Sequence, residues 1–168
     1  MHKKIPKSFI FLNKYNKKIL ENNNTNAGII YRNYKVKKRE NELIKIAKAC
    51  KKNRLTFFVS NSIKLAIKYK ADGIYIPSFN KTKKFSNLEK KNIIILGSAH
   101  NQKEIQNKIH QNCNVIFLSP VFNVKKSKKF LNIYKFNYLS RKKKKKIIAL
   151  GGITEKNINK LKLLKIEG

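Results

Sequence analysis

Short apolar runs separated by amphipathic segments limit what this chain can fold into. Seven runs of four or five residues are almost continuously apolar, which is the pattern of parallel strands that are buried on both faces. These runs cover residues 9–12, 28–31, 55–59, 73–76, 93–96, 115–118 and 147–150. Helical periodicity is clearest in residues 40–52, 62–70, 101–112 and 155–164. Repeated strand–helix units predict a parallel α/β sheet, either doubly wound or closed as a barrel.

The later strands carry short motifs rich in Gly, Ser and Pro. In chain order these are residues 71–76 (ADGIYI), 97–100 (GSAH), 119–122 (SPVF) and 147–154 (IIALGGIT). An apolar strand that runs into a Gly-Gly turn and a helix start offers backbone N–H groups to an anion. Gly151 and Gly152 supply such a turn, and we expect the helix to start at residues 154–156. A basic loop, residues 125–129, comes after the predicted strand 115–118. It therefore lies at the carboxyl end of that strand, where α/β folds place their ligands.

The composition is unusually basic, but the charge is weak evidence of function. The 168 residues include 41 Lys and Arg against 8 Asp and Glu, giving a formal net charge of +33. Such a balance is typical of proteins that bind nucleic acid or anionic membranes. Nearly all of the positive charge is lysine, spread along the chain together with abundant Asn and Ile, as an AT-rich genome would produce. A lysine-rich nucleic-acid-binding protein, with Tyr31, Tyr34 and Tyr134 stacking on bases, is the less favoured alternative.

The cysteines and the start of the chain predict a cytoplasmic protein. Cys50 and Cys113 have neither disulfide-framework nor zinc-site spacing, so reduced thiols are expected. The first apolar run, residues 9–12, is too short for a signal peptide or a membrane span. The length suits one domain, which we place at residues 1–168. No membrane partner is expected.

Taken together and in order, these motifs resemble those of the thiamine-phosphate synthase and thiazole tautomerase (TenI) group of TIM barrels. The resemblance runs from about Gly28 to the C-terminus. It implies a TIM (β/α) barrel, incomplete because the chain stops where the eighth strand would begin. A partner could cover the two strand edges left open, so an oligomer is one expectation.

The resemblance also implies an activity. Thiamine-phosphate synthase is a transferase that joins hydroxymethylpyrimidine diphosphate to thiazole phosphate and releases diphosphate. Small phosphorylated pyrimidine and thiazole substrates are therefore the expected partners, with Mg²⁺ as the cofactor of an active enzyme. A degenerate enzyme and a non-catalytic paralogue that binds a phosphate ligand stay open as alternatives.

Four residues come from the first half of the resemblance. Arg32 matches the arginine of the family's Gln-x-Arg-x-Lys and is expected to bind phosphate. Ser60 and Asn61 stand where the family has Asn-Asp. Asn80 stands near the second carboxylate of the family's metal site. Because carboxamides bring no charge and bind a hard cation weakly, the resemblance implies a lost or crippled metal site.

The second half supplies the remaining substrate-binding candidates. Ser98 matches the serine that contacts the pyrimidine, although a helix N-cap is its plain structural interpretation. Ser127 and Lys128 correspond to the family's Thr-Lys, and Gly151 and Gly152 to its phosphate loop. We expect Arg32, Ser98, Lys128 and Gly151 to meet in one pocket.

No catalytic residue can be assigned from the resemblance. Pro120 stands where the tautomerase branch has its histidine. Pro77 and Ser78, however, look more like that branch than like the synthases. His100 is either a general base or, as is commoner for a single histidine at a turn, a structural hydrogen-bonding group.

Overall fold

A helix follows each described strand except the fourth in a computed structural model, which describes residues 5–22, 26–33, 39–85, 92–124, 129–141, 145–164 and 166. Tyr34 and residues 125–128, which include the predicted site residues Ser127 and Lys128, lie outside the described residues. The elements, in chain order, are β1 (Ser8–Leu12), α1 (Lys17–Glu21), β2 (Ala27–Tyr31), α2 (Glu40–Lys52), β3 (Thr56–Ser60), α3 (Ile63–Lys68), β4 (Gly73–Ile76), β5 (Ile94–Ala99), α4 (Gln102–His110), β6 (Val115–Leu118), α5 (Asn132–Ser140), β7 (Lys146–Ala149) and a 3₁₀ helix (Ile158–Leu163).

The strands follow one another in the sheet in the same order as in the sequence, from β1 to β7. Each pairing with a described register is parallel, as between Ile29 and Phe57 or between Ile116 and Ile147. A doubly wound sheet reverses its strand order at a switch point, and this sheet has none. Of the two architectures that the sequence left open, the fold is therefore the TIM-type (β/α) barrel.

The chain divides into two compact units. The first contains Met1–Ile76 and Asn87–Ile95, and the second contains Pro77–Ser86 and Leu96–Gly168. In the first unit, the buried face of α2 (Leu43, Ile46 and Cys50) joins a core with Phe57 and Val59. In the second unit, buried side chains include Ile105 on α4, Ile116 on β6 and Phe136 on α5. The single domain predicted for residues 1–168 stays a prediction.

The helix starts show which of the sequence expectations are correct. α2 spans Glu40–Lys52, as predicted, and α3 begins after the Ser62 side chain, which accepts a hydrogen bond from the Leu65 amide at 3.3 Å. The N-cap of α4 is Asn101, whose Oδ1 accepts from the Glu104 amide at 3.0 Å. Ser98 lies within β5 instead. The N-cap interpretation of Ser98 is therefore wrong.

The predicted helix 155–164 is also wrong, because only a 3₁₀ helix at Ile158–Leu163 forms there. The Asn157 side chain accepts from the Thr154 amide at 2.8 Å and donates to the Gly152 carbonyl at 2.7 Å. Such side-chain bonds to nearby backbone compete with a helical start. The helix N-terminus expected at residues 154–156, beside the Gly-Gly turn, is consequently absent.

Both cysteines are buried and free. Burial raises the pKa of each thiol to about 12, since a thiolate loses its hydration in apolar surroundings. We expect iodoacetamide at pH 8 to label neither cysteine in the folded protein and both after denaturation, as measured by intact mass. Rapid labelling of either one under native conditions would contradict this prediction.

None of the helices in the described part of the chain combines the length and the hydropathy that a membrane-spanning helix needs.

Candidate functional site

The Gly-Gly turn follows β7 and packs against the loop that follows β6. Gly151 and Gly152 have φ values of +91° and +74°, the left-handed region that favours glycine. A Cβ atom built on Gly152 would lie 2.5 Å from the carbonyl oxygen of Phe122 and 2.6 Å from that of Asn123. The Gly151 carbonyl accepts a hydrogen bond from the Phe122 amide at 3.1 Å. Glycine is thus required here by the neighbouring loop, whether or not a ligand binds.

Among the described residues, the carbonyl groups of Gly151 and Gly152 accept hydrogen bonds, whereas the amides of the turn donate none. Asn157 Nδ2 donates to the Gly152 carbonyl. Within the described part of the chain, the successive amides of Gly151, Gly152 and Ile153 have no hydrogen-bond acceptor. The two glycines and Ile153 are not buried. Consecutive N–H groups in a turn can form a concave site for an anion.

Ser98 lies at the carboxyl end of β5 and faces away from α4. Its neighbour Gly97 faces the helix, because a Cβ on Gly97 would meet Lys108 and Cys113. Since successive side chains of a strand point to opposite faces, Ser98 is on the other face of the sheet. It is 5% exposed. This placement fits the predicted contact with a substrate bound at the strand ends, which stays a prediction.

His100 is fixed by the backbone of the neighbouring loop. Its Nδ1 lies 2.7 Å from the Ser119 carbonyl oxygen, and a carbonyl can only accept, so Nδ1 carries the proton. The His100 amide donates to the Glu104 carboxylate at 2.8 Å. These contacts give His100 the structural hydrogen-bonding role. In the neutral imidazole they leave Nε2 as the unprotonated nitrogen.

Arg32 extends from the end of β2 over an aromatic ring. Its amide donates to the Leu12 carbonyl at 2.8 Å, and its guanidinium carbon lies 5.0 Å from the centre of the Phe11 ring. Phe11 in turn packs edge-to-face on Tyr75, with the ring centres 5.3 Å apart. Stacking on a ring orients a guanidinium while its N–H groups stay available to a phosphate. The side chain is exposed.

Ser60 ends β3 and Asn61 follows it, and the two side chains differ in burial. Ser60 is fully buried, and its hydroxyl donates to the Tyr31 carbonyl at 2.5 Å. Asn61 is partly exposed, has φ of +57°, and donates its amide to the Tyr75 carbonyl at 2.9 Å. Asn adopts this left-handed conformation more readily than most residues. The hydroxyl of Ser60 therefore stabilises the pairing of β3 with β2. Asn61 is the more accessible of the two predicted site residues.

Asn80 lies in the loop after β4, and its side chain stabilises that loop. Its Oδ1 accepts a hydrogen bond from the Thr82 amide at 2.9 Å. Its backbone carbonyl accepts from Lys108 Nζ at 2.8 Å and from Gln111 Nε2 at 3.0 Å. Lys108 is fully buried, and burial lowers the pKa of its amine to about 8.

Sequence reasoning missed Lys108 and Gln111. A weak signal was present, because Lys108 is three residues after Ile105 and thus falls on the apolar face of α4. Another missed residue is Arg39, whose Nη1 lies 3.4 Å from the Ser60 carbonyl and 3.5 Å from the Asn33 carbonyl. It thereby links the end of β3 to the loop that follows β2.

The Ala-Asp-Gly motif before β4 has a structural role. Asp72 accepts a hydrogen bond from the Phe57 amide at 2.9 Å. A Cβ on Gly73 would lie 2.2 Å from the Ile94 carbonyl oxygen and 2.7 Å from the Phe58 ring. These residues allow close approach of backbone and rings at the start of the strand, and they lie away from the strand ends that carry the candidate site.

Residues 17–168 match the profile of a family described as thiamine monophosphate synthase. The chain belongs to this family. Members act in thiamine biosynthesis, as the names of the curated relatives show. The thiamine-phosphate synthase of Prochlorococcus marinus subsp. pastoris is 34% identical over 124 residues, which are 72% of this chain and 35% of that protein. The Flavobacterium johnsoniae thiamine-phosphate synthase is 31% identical over 131 residues, 71% of this chain and 60% of that protein.

The chain thus spans from about a third to three-fifths of the length of these curated relatives. Among solved structures, a thiamine phosphate pyrophosphorylase from Pyrococcus furiosus has a TM-score of 0.73 and 16% identity. That match covers 95% of this chain and 81% of the other. It supports the TIM-type barrel fold, of which the described residues supply seven strands and not the eighth.

The resemblance implies Mg²⁺ and places its ligands at Asn61 and near Asn80, but these two side chains do not fit that ion. Asn61 and Asn80 are carboxamides, and Asn80 Oδ1 already accepts the Thr82 amide. Mg²⁺ in proteins is usually bound through one or two carboxylates. Within the described residues, no group of three or more His, Cys, Asp or Glu side chains could hold a metal ion.

Proposed function

We propose that the residues at the carboxyl ends of the strands bind the phosphorylated pyrimidine and thiazole substrates of thiamine-phosphate synthesis. The observation that carries this proposal is the Gly151–Ile153 turn, whose amides face no acceptor in the described chain. In this role the turn binds the thiazole phosphate through backbone N–H groups. Membership of the thiamine monophosphate synthase family supports that choice of ligand.

The other candidate residues have matching roles. Arg32, oriented by the Phe11 ring, binds a substrate phosphate oxygen with its planar N–H groups. Ser98 contacts the pyrimidine, and Ser127 and Lys128 add a hydroxyl and a cation for the anionic groups. A fixed cation near the leaving diphosphate stabilises the charge that develops when the pyrimidinylmethyl carbon–oxygen bond breaks. The new bond forms between that carbon and the thiazole nitrogen.

The metal positions set the expected rate. The resemblance places carboxylates at two positions where this chain has carboxamides. Because carboxamides carry no negative charge, they bind the Mg²⁺ of a Mg²⁺–diphosphate complex weakly. We therefore propose a slow transferase.

The test is direct assay of the purified chain. We expect thiazole phosphate to bind in calorimetry, and thiamine phosphate to form slowly from both substrates at millimolar concentration with Mg²⁺. Binding without any product would favour the alternative of a non-catalytic paralogue that binds a phosphate ligand. Absence of both binding and product, in a sample shown to be folded by circular dichroism, would overturn the proposal.

A further inference from the structure

A buried lysine is the least expected feature of the second unit. Lys108 lies on α4 and has no exposed surface. Its ammonium donates to the carbonyls of Pro77 and Asn80, each at 2.8 Å, and to Gln111 Oε1 at 2.9 Å. These three bonds use all three ammonium protons. A charged group this deeply buried is costly unless it is fully hydrogen-bonded, and here it is.

Gln111, one helical turn further along, completes the arrangement. Its Nε2 donates to the Asn80 carbonyl at 3.0 Å and to the Thr82 carbonyl at 2.7 Å. Three carbonyls of one loop, those of Pro77, Asn80 and Thr82, are thus bound by two side chains of α4 and its C-terminal end. The Asn80 carbonyl accepts from both.

The packing around Lys108 also explains why residue 97, the first of the motif at residues 97–100, is glycine. A Cβ on Gly97 would lie 2.8 Å from Lys108 Cδ and 2.7 Å from Cys113 Sγ. Gly97 therefore leaves the space that the lysine stem occupies against β5. An apolar side chain could fill the same volume without a charge, but it could not bind the loop carbonyls. The presence of a lysine here is therefore explained by the loop carbonyls to which its ammonium donates.

We propose that Lys108, together with Gln111, is a positioning residue for the loop after β4 and fixes the place of Asn80. The loop backbone is bound on one side by α4, and the Asn80 side chain is then oriented by its bond to the Thr82 amide. Asn80 is the position where the resemblance places a carboxylate of the active site. The significance for substrate binding rests on the proposed function, whereas the control of the loop by Lys108 does not.

The first experiment measures the loop itself. Lys108→Met keeps the stem but removes every donor, and Lys103→Met, at an exposed position of the same helix, is the control. By hydrogen exchange we expect the Asn80 and Thr82 amides to exchange at least about tenfold faster in Lys108→Met, since local opening becomes easier. The Ile105 amide and all amides of Lys103→Met should keep the exchange rates of the parent.

A second variant guards against failure of Lys108→Met to fold. Gln111→Glu keeps the oxygen that accepts from Lys108 but removes the two bonds donated to the loop. We expect this variant to fold and to show the same faster exchange at Thr82. Lys108→Arg, which retains charge and donors, should restore part of the protection. Parent-like exchange at Asn80 and Thr82 in both Lys108→Met and Gln111→Glu would overturn the proposal.

The second experiment links the loop to the substrate. In Lys108→Met we expect the KM for the pyrimidine diphosphate to rise at least about fivefold, with the affinity for thiazole phosphate unchanged. Equal loss for both substrates, or none, would refute the link from loop to substrate. If the parent binds thiazole phosphate but makes no product, only the proposed transferase activity fails, and the exchange experiment still decides whether Lys108 positions the loop.

Discussion

Gly152→Val is expected to destabilise the protein by about 2–4 kcal/mol, because two penalties add at one residue. The φ of +74° is unfavourable for a β-branched side chain. The new Cβ would also lie 2.5–2.6 Å from the carbonyl oxygens of Phe122 and Asn123. Urea denaturation measures the change. Ile153→Val, at an exposed neighbouring residue, is the control and should change the free energy of unfolding by less than about 0.5 kcal/mol.

Loss of ligand binding in Gly152→Val would not by itself identify a phosphate site, since the turn is disturbed in any case. The amides of the parent protein give the sharper result. The chain has only 6 glycines, so the Gly151 and Gly152 amide signals in ¹⁵N-labelled protein can be followed during a titration with thiazole phosphate. We expect both signals and that of Ile153 to shift, and those of Gly28 and Gly73 to stay in place. Unmoved turn signals at saturation would refute the phosphate role.

The strands could be predicted from sequence because each is a short, nearly continuous apolar run. Predicted and observed bounds are identical for β4 and β6. α2 was equally clear, since its apolar residues recur on one face. α1 is only five residues long, and α5 mixes apolar and polar residues with little periodicity. Both were missed, because neither shows the recurrence of apolar residues from which a helix is inferred.

For the candidate site, the sequence could predict only which residues lie at the ends of strands, because the motifs mark those ends. Sequence placed Ser98, Asn61 and Gly151 after or at the ends of strands, and the structure agrees. It could not show that the Ser60 hydroxyl is used within the sheet, or that Gly152 is required by the loop at Phe122. Those facts depend on contacts between residues 29 or more positions apart. Whether Arg32, Ser98, Lys128 and Gly151 meet in one pocket stays a prediction.

Restoring both carboxylates, Asn61→Asp with Asn80→Asp, is expected to raise the affinity for Mg²⁺ at least about tenfold, because charged oxygen ligands suit this ion far better than carboxamides. The backbone should tolerate both changes. Asp accepts a left-handed φ such as the +57° of residue 61 nearly as well as Asn does. At residue 80, a carboxylate oxygen can keep the bond from the Thr82 amide and still offer its second oxygen to a cation.

The control must separate a specific site from added negative charge, because this chain carries a formal charge of +33 and any two acids improve cation binding somewhat. Gln102→Glu with Gln106→Glu adds the same charge at exposed positions of α4. Calorimetric titration with Mg²⁺ in the presence of inorganic diphosphate should give a gain for the Asp pair and little for the Glu pair. Since the metal also neutralises the leaving diphosphate, the Asp pair should form thiamine phosphate faster than the parent. Equal Mg²⁺ affinity in the two double variants would mean that residues 61 and 80 do not correspond to the family's metal positions.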